Sequence, residues 1–193
     1  MGNLGGQSGV TAQRYRERHM PTPITYRGGS VTPSRRKGSD ELDAIALLKQ
    51  DHKIVADLFE RYEASGEDRE RKALIAARIC QELTVHAAIE EEIFYPKVRE
   101  ALDGDDEGEH LLNEAESDHE DIENLVSELQ QEIEGDGASD ATDARIKELA
   151  ECVVHHVEEE ESELFPKVKQ TDLDLDELGA EMTARKEDLA EEI

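Results

Sequence analysis

Four histidines are spaced so that their imidazoles can share one metal centre. His52, His86, His119 and His156 follow one another at separations of 34, 33 and 37 residues, each on the apolar face of a different helical stretch. Two have a carboxylate four residues on: His86 with Glu90, and His156 with Glu160. That interval puts both side chains on one helix face, one turn apart. An ionised Glu in a helical core is costly unless it is paired or bound to metal. Imidazole nitrogen suits Fe, Zn and Cu, and carboxylates extend the choice to Mn. Two cations about 3.5–4 Å apart repel, and bridging carboxylates hold such a pair together. Four His and two Glu allow two His on each ion, two bridging carboxylates, and positions left for an exogenous ligand. The bland alternative is four core histidines, each satisfied by an ordinary hydrogen bond. It leaves the matched Glu residues without a reason.

The same residues form an internal repeat. His86-x-x-x-Glu90-Glu91-x-x-x-Tyr95-Pro96-Lys97-Val98 matches His156-x-x-x-Glu160-Glu161-x-x-x-Phe165-Pro166-Lys167-Val168 at a constant offset of 70. Asp51-His52 matches Asp118-His119 at an offset of 67. Two similar helical hairpins, each bringing two His and one Glu, would form a pseudo-symmetric site. His155 adjoins His156 and is a competing ligand. The offset and the alignment with Glu160 favour His156, leaving His155 at the boundary.

Other polar neighbours read more plainly. Glu91, Glu92, Glu158, Glu159 and Glu161 form a solvated acidic face, from which one or two can orient a ligand imidazole. Asp51 and Asp118 precede site histidines, but adjacent residues on a helix point apart. Cys152 faces the core side as a small hydrophobe. Tyr95 can meet the site as a hydrogen-bond donor or redox residue, with packing the plainer reading. His19 and His110 fall outside the repeat and are read as solvent-facing.

Helices must position these groups. Ser39 and Asp40 are candidate caps for a first helix that ends at Ser65-Gly66. Ile45, Leu48, His52, Val55 and Phe59 recur on it at steps of three and four. A second helix runs from about Asp68 to Leu102 and carries Leu74, Ile75, Ile79, Leu83, His86, Ile89, Glu90 and Ile93. A third spans about Glu107–Glu134, closed by Gly135-Asp136-Gly137, and a fourth about Asp140–Lys169. Pro96 and Pro166 fall inside helical patterns and should kink or end them. A short amphipathic helix is expected over Asp176–Leu189. Short loops between long helices make neighbours antiparallel, so the fold class is all-α: an up-down-up-down four-helix bundle over residues 40–170. Residues 171–193 form an acidic C-terminal segment.

Residues 1–39 differ from the rest. They hold seven basic residues against one acid, Glu17, and much of the Gly and Pro. They are expected to be a disordered tail. The whole chain of 193 residues carries 49 Asp plus Glu against 22 Lys plus Arg, a formal charge of −27. Such a surface repels nucleic-acid phosphates and anionic membranes. No apolar run reaches the ~20 residues needed to span a bilayer, and no secretory signal is evident. Cys80 and Cys152 lack a metal or redox spacing and read as reduced thiols of a cytoplasmic protein. The basic tail against an acidic domain allows self-association or contact with an acidic protein partner.

The pattern His…His-x-x-x-Glu…His…His-x-x-x-Glu, with an aromatic-Pro pair after each Glu, resembles the hemerythrin-like cation-binding family over about residues 41–169. The resemblance implies an antiparallel four-helix bundle with a non-haem di-iron centre. Carried over position by position, His52, His86, His119 and His156 would be terminal ligands and Glu90 and Glu160 the bridges. Oxygen-carrying hemerythrins have an additional His ligand and an Asp bridge; here the hairpins look equivalent. That is more similar to bacterial di-iron proteins of iron–sulfur repair and nitric oxide stress, and to relatives that decompose peroxide. The expectation is therefore a protein that binds or reacts with O2, NO or peroxide in stress response or iron handling. The alternatives are a di-iron enzyme decomposing hydrogen peroxide, and a structural or storage bundle holding Zn or Mn.

Overall fold

The computed structural model describes residues 42–192, and among these every regular element is helical. Helix α1 spans Ala44–Glu63 and α2 Arg69–Ile89, with a π-turn over Glu90–Phe94 leading into α3, Tyr95–Ala101. Helix α4 spans Asp106–Asp136 and α5 Asp140–Glu159; a second π-turn, Glu160–Leu164, leads into α6, Phe165–Val168. Helix α7 spans Leu175–Glu192. The pairs α1/α2 and α4/α5 are the two hairpins, and α2 against α4 joins them into a bundle.

Local chemistry sets the ends. Asp43 caps α1, its carboxylate accepting from the Ala46 N–H. The cap candidates Ser39 and Asp40 lie outside the described residues, as do His19 and the tail over 1–39. Asp68 and Asp105 cap α2 and α4, and Ser139 with Thr142 forms a reciprocal capping box at the start of α5. Gly137 ends α4 at φ 69°, a left-handed conformation that glycine adopts without a Cβ penalty.

The prolines neither end the helices nor leave them regular. In each case the helix widens just before the proline. The Tyr95 N–H reaches back five residues to the Glu90 carbonyl, and the Phe165 N–H to that of Glu160. The wider turn takes in a proline ring that lacks an N–H and would crowd a regular turn. Glu90 and Glu160 are the first residues of these two turns.

The core has apolar layers above and below a polar one. On one side lie Ile45, Leu48, Ile89, Phe94, Val98, Leu112, Leu164 and Phe165. On the other, toward the opposite end of the helices, lie Leu58, Ile79, Leu129, Ile146 and Leu149, all buried. Leu74, expected on the inner face of the second helix, points outward and is 70% exposed. It stands one residue before Ile75, which takes the inward position. The C-terminal helix α7 packs across α1 and α2, where Leu178 and Met182 join the first apolar layer. Gly179 makes this approach possible: a Cβ there would lie 2.3 Å from the Leu42 carbonyl oxygen.

Candidate metal centre

The six residues singled out by the sequence meet in the polar layer. His52, His86, Glu90, His119, His156 and Glu160 are all buried, none more than 6% exposed. Ligand-capable atoms of His52, His86, Glu90 and Glu160 lie within 4.8 Å of one another, and so do those of Glu90, His119 and His156. The imidazoles form two pairs. The His52 and His86 ring centres are 4.9 Å apart, and those of His119 and His156 4.7 Å.

Each carboxylate lies between the pairs. Glu90 Oε2 is 3.1 Å from His86 Nε2 and 3.3 Å from His119 Nε2. Glu160 Oε2 is 3.3 Å from His52 Nε2 and 3.5 Å from His156 Nε2. These are close approaches without hydrogen-bond geometry. Both Glu90 oxygens, Glu160 Oε2, and the Nε2 atoms of His52 and His86 are buried with no hydrogen-bond partner. Buried polar atoms are rarely left so, and several aimed at one point fit a cation there.

Behind each ring sits a second carboxylate. The His52 Nδ1 lies 3.0 Å from Glu161 Oε1, and Glu161 is held in turn by Lys49 at 2.7 Å. His119 Nδ1 lies 2.8 Å from Glu91 Oε1. His86 Nδ1 faces Asp51 Oδ2 at 3.7 Å, and His156 Nδ1 faces Asp118 Oδ2 at 3.8 Å. At His52 and His119 a proton held at Nδ1 by such a partner leaves the Nε2 lone pair directed inward, the tautomer a metal requires, whereas Asp51 and Asp118 stand beyond hydrogen-bond distance of their rings and His86 Nδ1 has no partner. Glu161 and Glu91 are therefore the acidic residues that the sequence allowed to orient a site imidazole; the Glu161 side chain is only 11% exposed. Asp51 and Asp118 do point away from their own neighbours, but toward a histidine on the next helix. Their repeat at offset 67 was the signal available; the helix crossing that uses it was not.

Tyr95 takes the hydrogen-bond role that the sequence allowed beside packing. Its hydroxyl donates to Glu160 Oε1 at 3.0 Å and lies 3.2 Å from His119 Nε2. Its counterpart Phe165 stacks on His52, with ring centres 6.0 Å apart. Each hairpin's aromatic residue thus braces the other hairpin's first histidine. His155 points out, 65% exposed, and the offset choice of His156 matches the inward position. Cys152 is half-buried and not among the converging atoms. His110 is exposed, as read. A small void on the other side of the rings is bounded by the four histidines, Asp51, Val55, Leu83, Ile122 and Val153.

The electrostatics are those of a cluster in need of positive charge. Burial and the neighbouring Glu160 charge push the Glu90 carboxyl above its usual range. Burial acts the same way on Glu160, but His156 and His52 outweigh it and hold it low. Burial weakens His52 and His119 as bases, yet Glu160 and Glu161 lift His52 to about 9, and Glu90 and Glu91 lift His119 to about 9. His156 is pressed down to about 3 by burial and by its cationic neighbours. The tyrosine hydroxyl of Tyr95 is held far above its usual value by burial and by Glu160.

The model of the Hemerythrin HHE cation binding domain matches residues 43–168, which includes all six converging residues. The chain belongs to the hemerythrin HHE cation-binding family. A solved HHE domain-containing protein from Mycobacterium kansasii superposes with a TM-score of 0.64 at 23% identity, over 78% of this chain and 89% of that one, and so shares the fold. A curated DNA nickase from Nostoc sp. is 29% identical over 143 residues, 73% of this chain. This HHE chain spans only 38% of that relative's length. No helix among the described residues is long and apolar enough to cross a membrane.

Proposed function

We propose that this HHE protein holds two iron ions, with His52 and His86 on one, His119 and His156 on the other, and Glu90 and Glu160 bridging them. The observation that carries this reading is the placement of each carboxylate between one histidine of each pair, with inward atoms left unpartnered. Mixed nitrogen and oxygen donors suit iron, though Zn or Mn would also accept them. When bound, the iron pair would supply electrons and open positions for O2, NO or peroxide. The chain's own residues set the rest. Glu161 and Glu91 fix the His52 and His119 rings through Nδ1, Asp51 and Asp118 stand behind His86 and His156, the apolar layers exclude water, and Tyr95 holds a proton at the edge of Glu160.

That proton favours reaction over storage, and the disproportionation of two hydrogen peroxides into two waters and O2 is the specific enzymatic reading. A role in stress response or iron handling follows, in the cytoplasm, where the free thiols of Cys80 and Cys152 would persist. The activity named for the Nostoc relative is not carried over: the charge of −27 opposes contact with a phosphate backbone.

Metal analysis with a Mössbauer spectrum of protein purified without added metal should give two coupled irons per chain. Stoichiometric Zn or Mn instead would reject iron. Anaerobically reduced protein exposed in turn to O2, NO and H2O2 separates the activities. Stable adduct bands mark binding, whereas sustained O2 release from peroxide marks an enzyme. His86→Ala and Glu160→Ala should both abolish that release.

A further inference from the structure

The repeat is broken beside the site in a way that separates its two faces. At offset 70, Val85, Ile89 and Ile93 of the first hairpin correspond to His155, Glu159 and Glu163 of the second. The first three are buried, Ile89 and Ile93 in the core cluster with Leu178 and Met182 of α7. On that face Lys186 is ion-paired with Asp51, and Arg185 with Glu92 at 2.6 Å. Two cationic side chains and an apolar seal therefore close the first hairpin to an approaching cation. The second face has the opposite character. His155 Nδ1 is 3.5 Å from Asp118 Oδ2, and His155 Nε2 is 3.6 Å from Glu159 Oε1. Those three residues form a cluster of metal-ligating atoms, with Asp118 Oδ2 buried and unpartnered.

A second observation ties this cluster to the interior. A narrow cleft between α4 and α5 is lined by Leu111, Ala115, Glu159 and Leu164, and by His156 and Glu160 of the buried site. Glu159 thus belongs both to the surface cluster and to the wall of the cleft. Glu160, 2% exposed and with Oε2 unpartnered, stands at the inner end. Asp118 makes a parallel link, since the oxygen facing His155 also faces His156 Nδ1 at 3.8 Å.

We infer that Asp118, His155 and Glu159 form an entry port that captures a divalent first-row transition cation and passes it along the cleft to the buried centre. The inference rests on the two-iron reading above. One imidazole and two carboxylates exchange readily with the water shell of such an ion. The two carboxylates face different nitrogens of the ring, but one ligand atom of each residue lies within 4.8 Å of the others, so turning the exposed His155 and partly exposed Glu159 side chains brings the three onto one ion. Glu114 and Glu163 add negative potential around Glu159. A cleft lined by one sign of charge raises the local concentration of the opposite ion. Three ligands at a partly exposed site hold the ion weakly enough to release it inward.

The test is the rate of loading of the full metal-free chain. Fe2+ is mixed anaerobically, and a fast chelator added at intervals strips any iron not yet buried. The doubly substituted His155→Ala, Glu159→Gln chain should reach the same two chelator-resistant irons and the same Mössbauer spectrum, but about ten-fold more slowly. Glu148→Gln with Glu151→Gln removes two charges elsewhere on the exposed face of α5 and should load at the parent rate. Equal rates for the parent and the port variant would overturn the port while leaving the centre intact. Equal slowing by the Glu148/Glu151 pair would reduce the effect to net charge and also overturn it. A parent chain retaining no iron would instead sink the two-iron reading, and the port with it.

Discussion

In the first hairpin Asp51 faces His86 beneath α7, almost wholly buried and ion-paired with Lys186. In the second, Asp118 faces His156 from a position more than a quarter exposed, with His155 beside it. The ligand-capable residues repeat, while their surroundings do not. One half is closed by a helix that the repeat does not contain; the other opens through polar residues. The difference teaches that the centre and its access are separate properties. The first requires matching residues in both halves, and the second requires that the halves differ. Burial raises the Asp51 carboxyl, but His86 and Lys186 outweigh it and hold it below the usual range.

The strongest way to break the comparison is to ask whether the halves bind independently. Each Glu reaches a histidine of both pairs, so Glu160→Ala should reduce retained iron from two per chain to fewer than one. His86→Ala, which removes a side chain from one pair, should leave about one. Metal analysis after gel filtration reads both, and equal losses would show that the pairs do not act as two sites.

Next in size is the buried ion pair. Lys186→Met leaves Asp51 without its cation and should destabilise the chain by about 2–3 kcal/mol in urea unfolding. Asp118→Asn in the open half should cost less than about 1 kcal/mol. Similar costs would deny the asymmetry. Gly179→Ala should follow at about 1–3 kcal/mol, because its Cβ would meet the backbone at Leu42, Asp43 and Ala44 rather than a yielding side chain. Increased amide exchange confined to α7 and the start of α1 is the accompanying signature.

The smallest effect concerns Asp143, at the far end of the bundle, where Tyr62 and Lys72 both donate to it. Burial raises its carboxyl, but Lys72 and Tyr62 prevail and hold it below the usual range. A depressed carboxyl contributes stability above its unfolded pKa, about 3.9, and loses it as pH falls through the lower folded value. Asp143→Asn should therefore lower the Tm by about 2 °C at pH 7. The gap to the parent should close below about pH 4. A difference at pH 3 as large as that at pH 7 would assign the loss to packing.

Much of this molecule is written locally. The helices were legible because apolar residues recur at steps of three and four, and several of their ends because Gly and Asp break the pattern, although Asp43 caps the first helix where Ser39 and Asp40 were expected to. The meeting of the six His and Glu residues was legible because an offset of 70 relates His86 and Glu90 to His156 and Glu160, and one of 67 relates His52 to His119, placing like residues at like heights. Leu74 shows the limit: beside Ile75, periodicity alone did not decide which of two adjacent apolar residues turns inward. The expected helix over Asp176–Leu189 is observed as Leu175–Glu192, yet nothing in its own pattern named α1 and α2 as the surface it would cover.

By itself the sequence determined the number and order of the long helices, the repeat, and the types of atom that converge, since all of these follow from spacing along one chain. The tertiary structure alone decided which carboxylate stands behind which imidazole. It also set the Tyr95 hydroxyl on Glu160 and left one half covered and the other open. Those are contacts between helices, fixed by how the helices cross and by the one place where a glycine lets a backbone come close, and spacing within a helix carries no information about either.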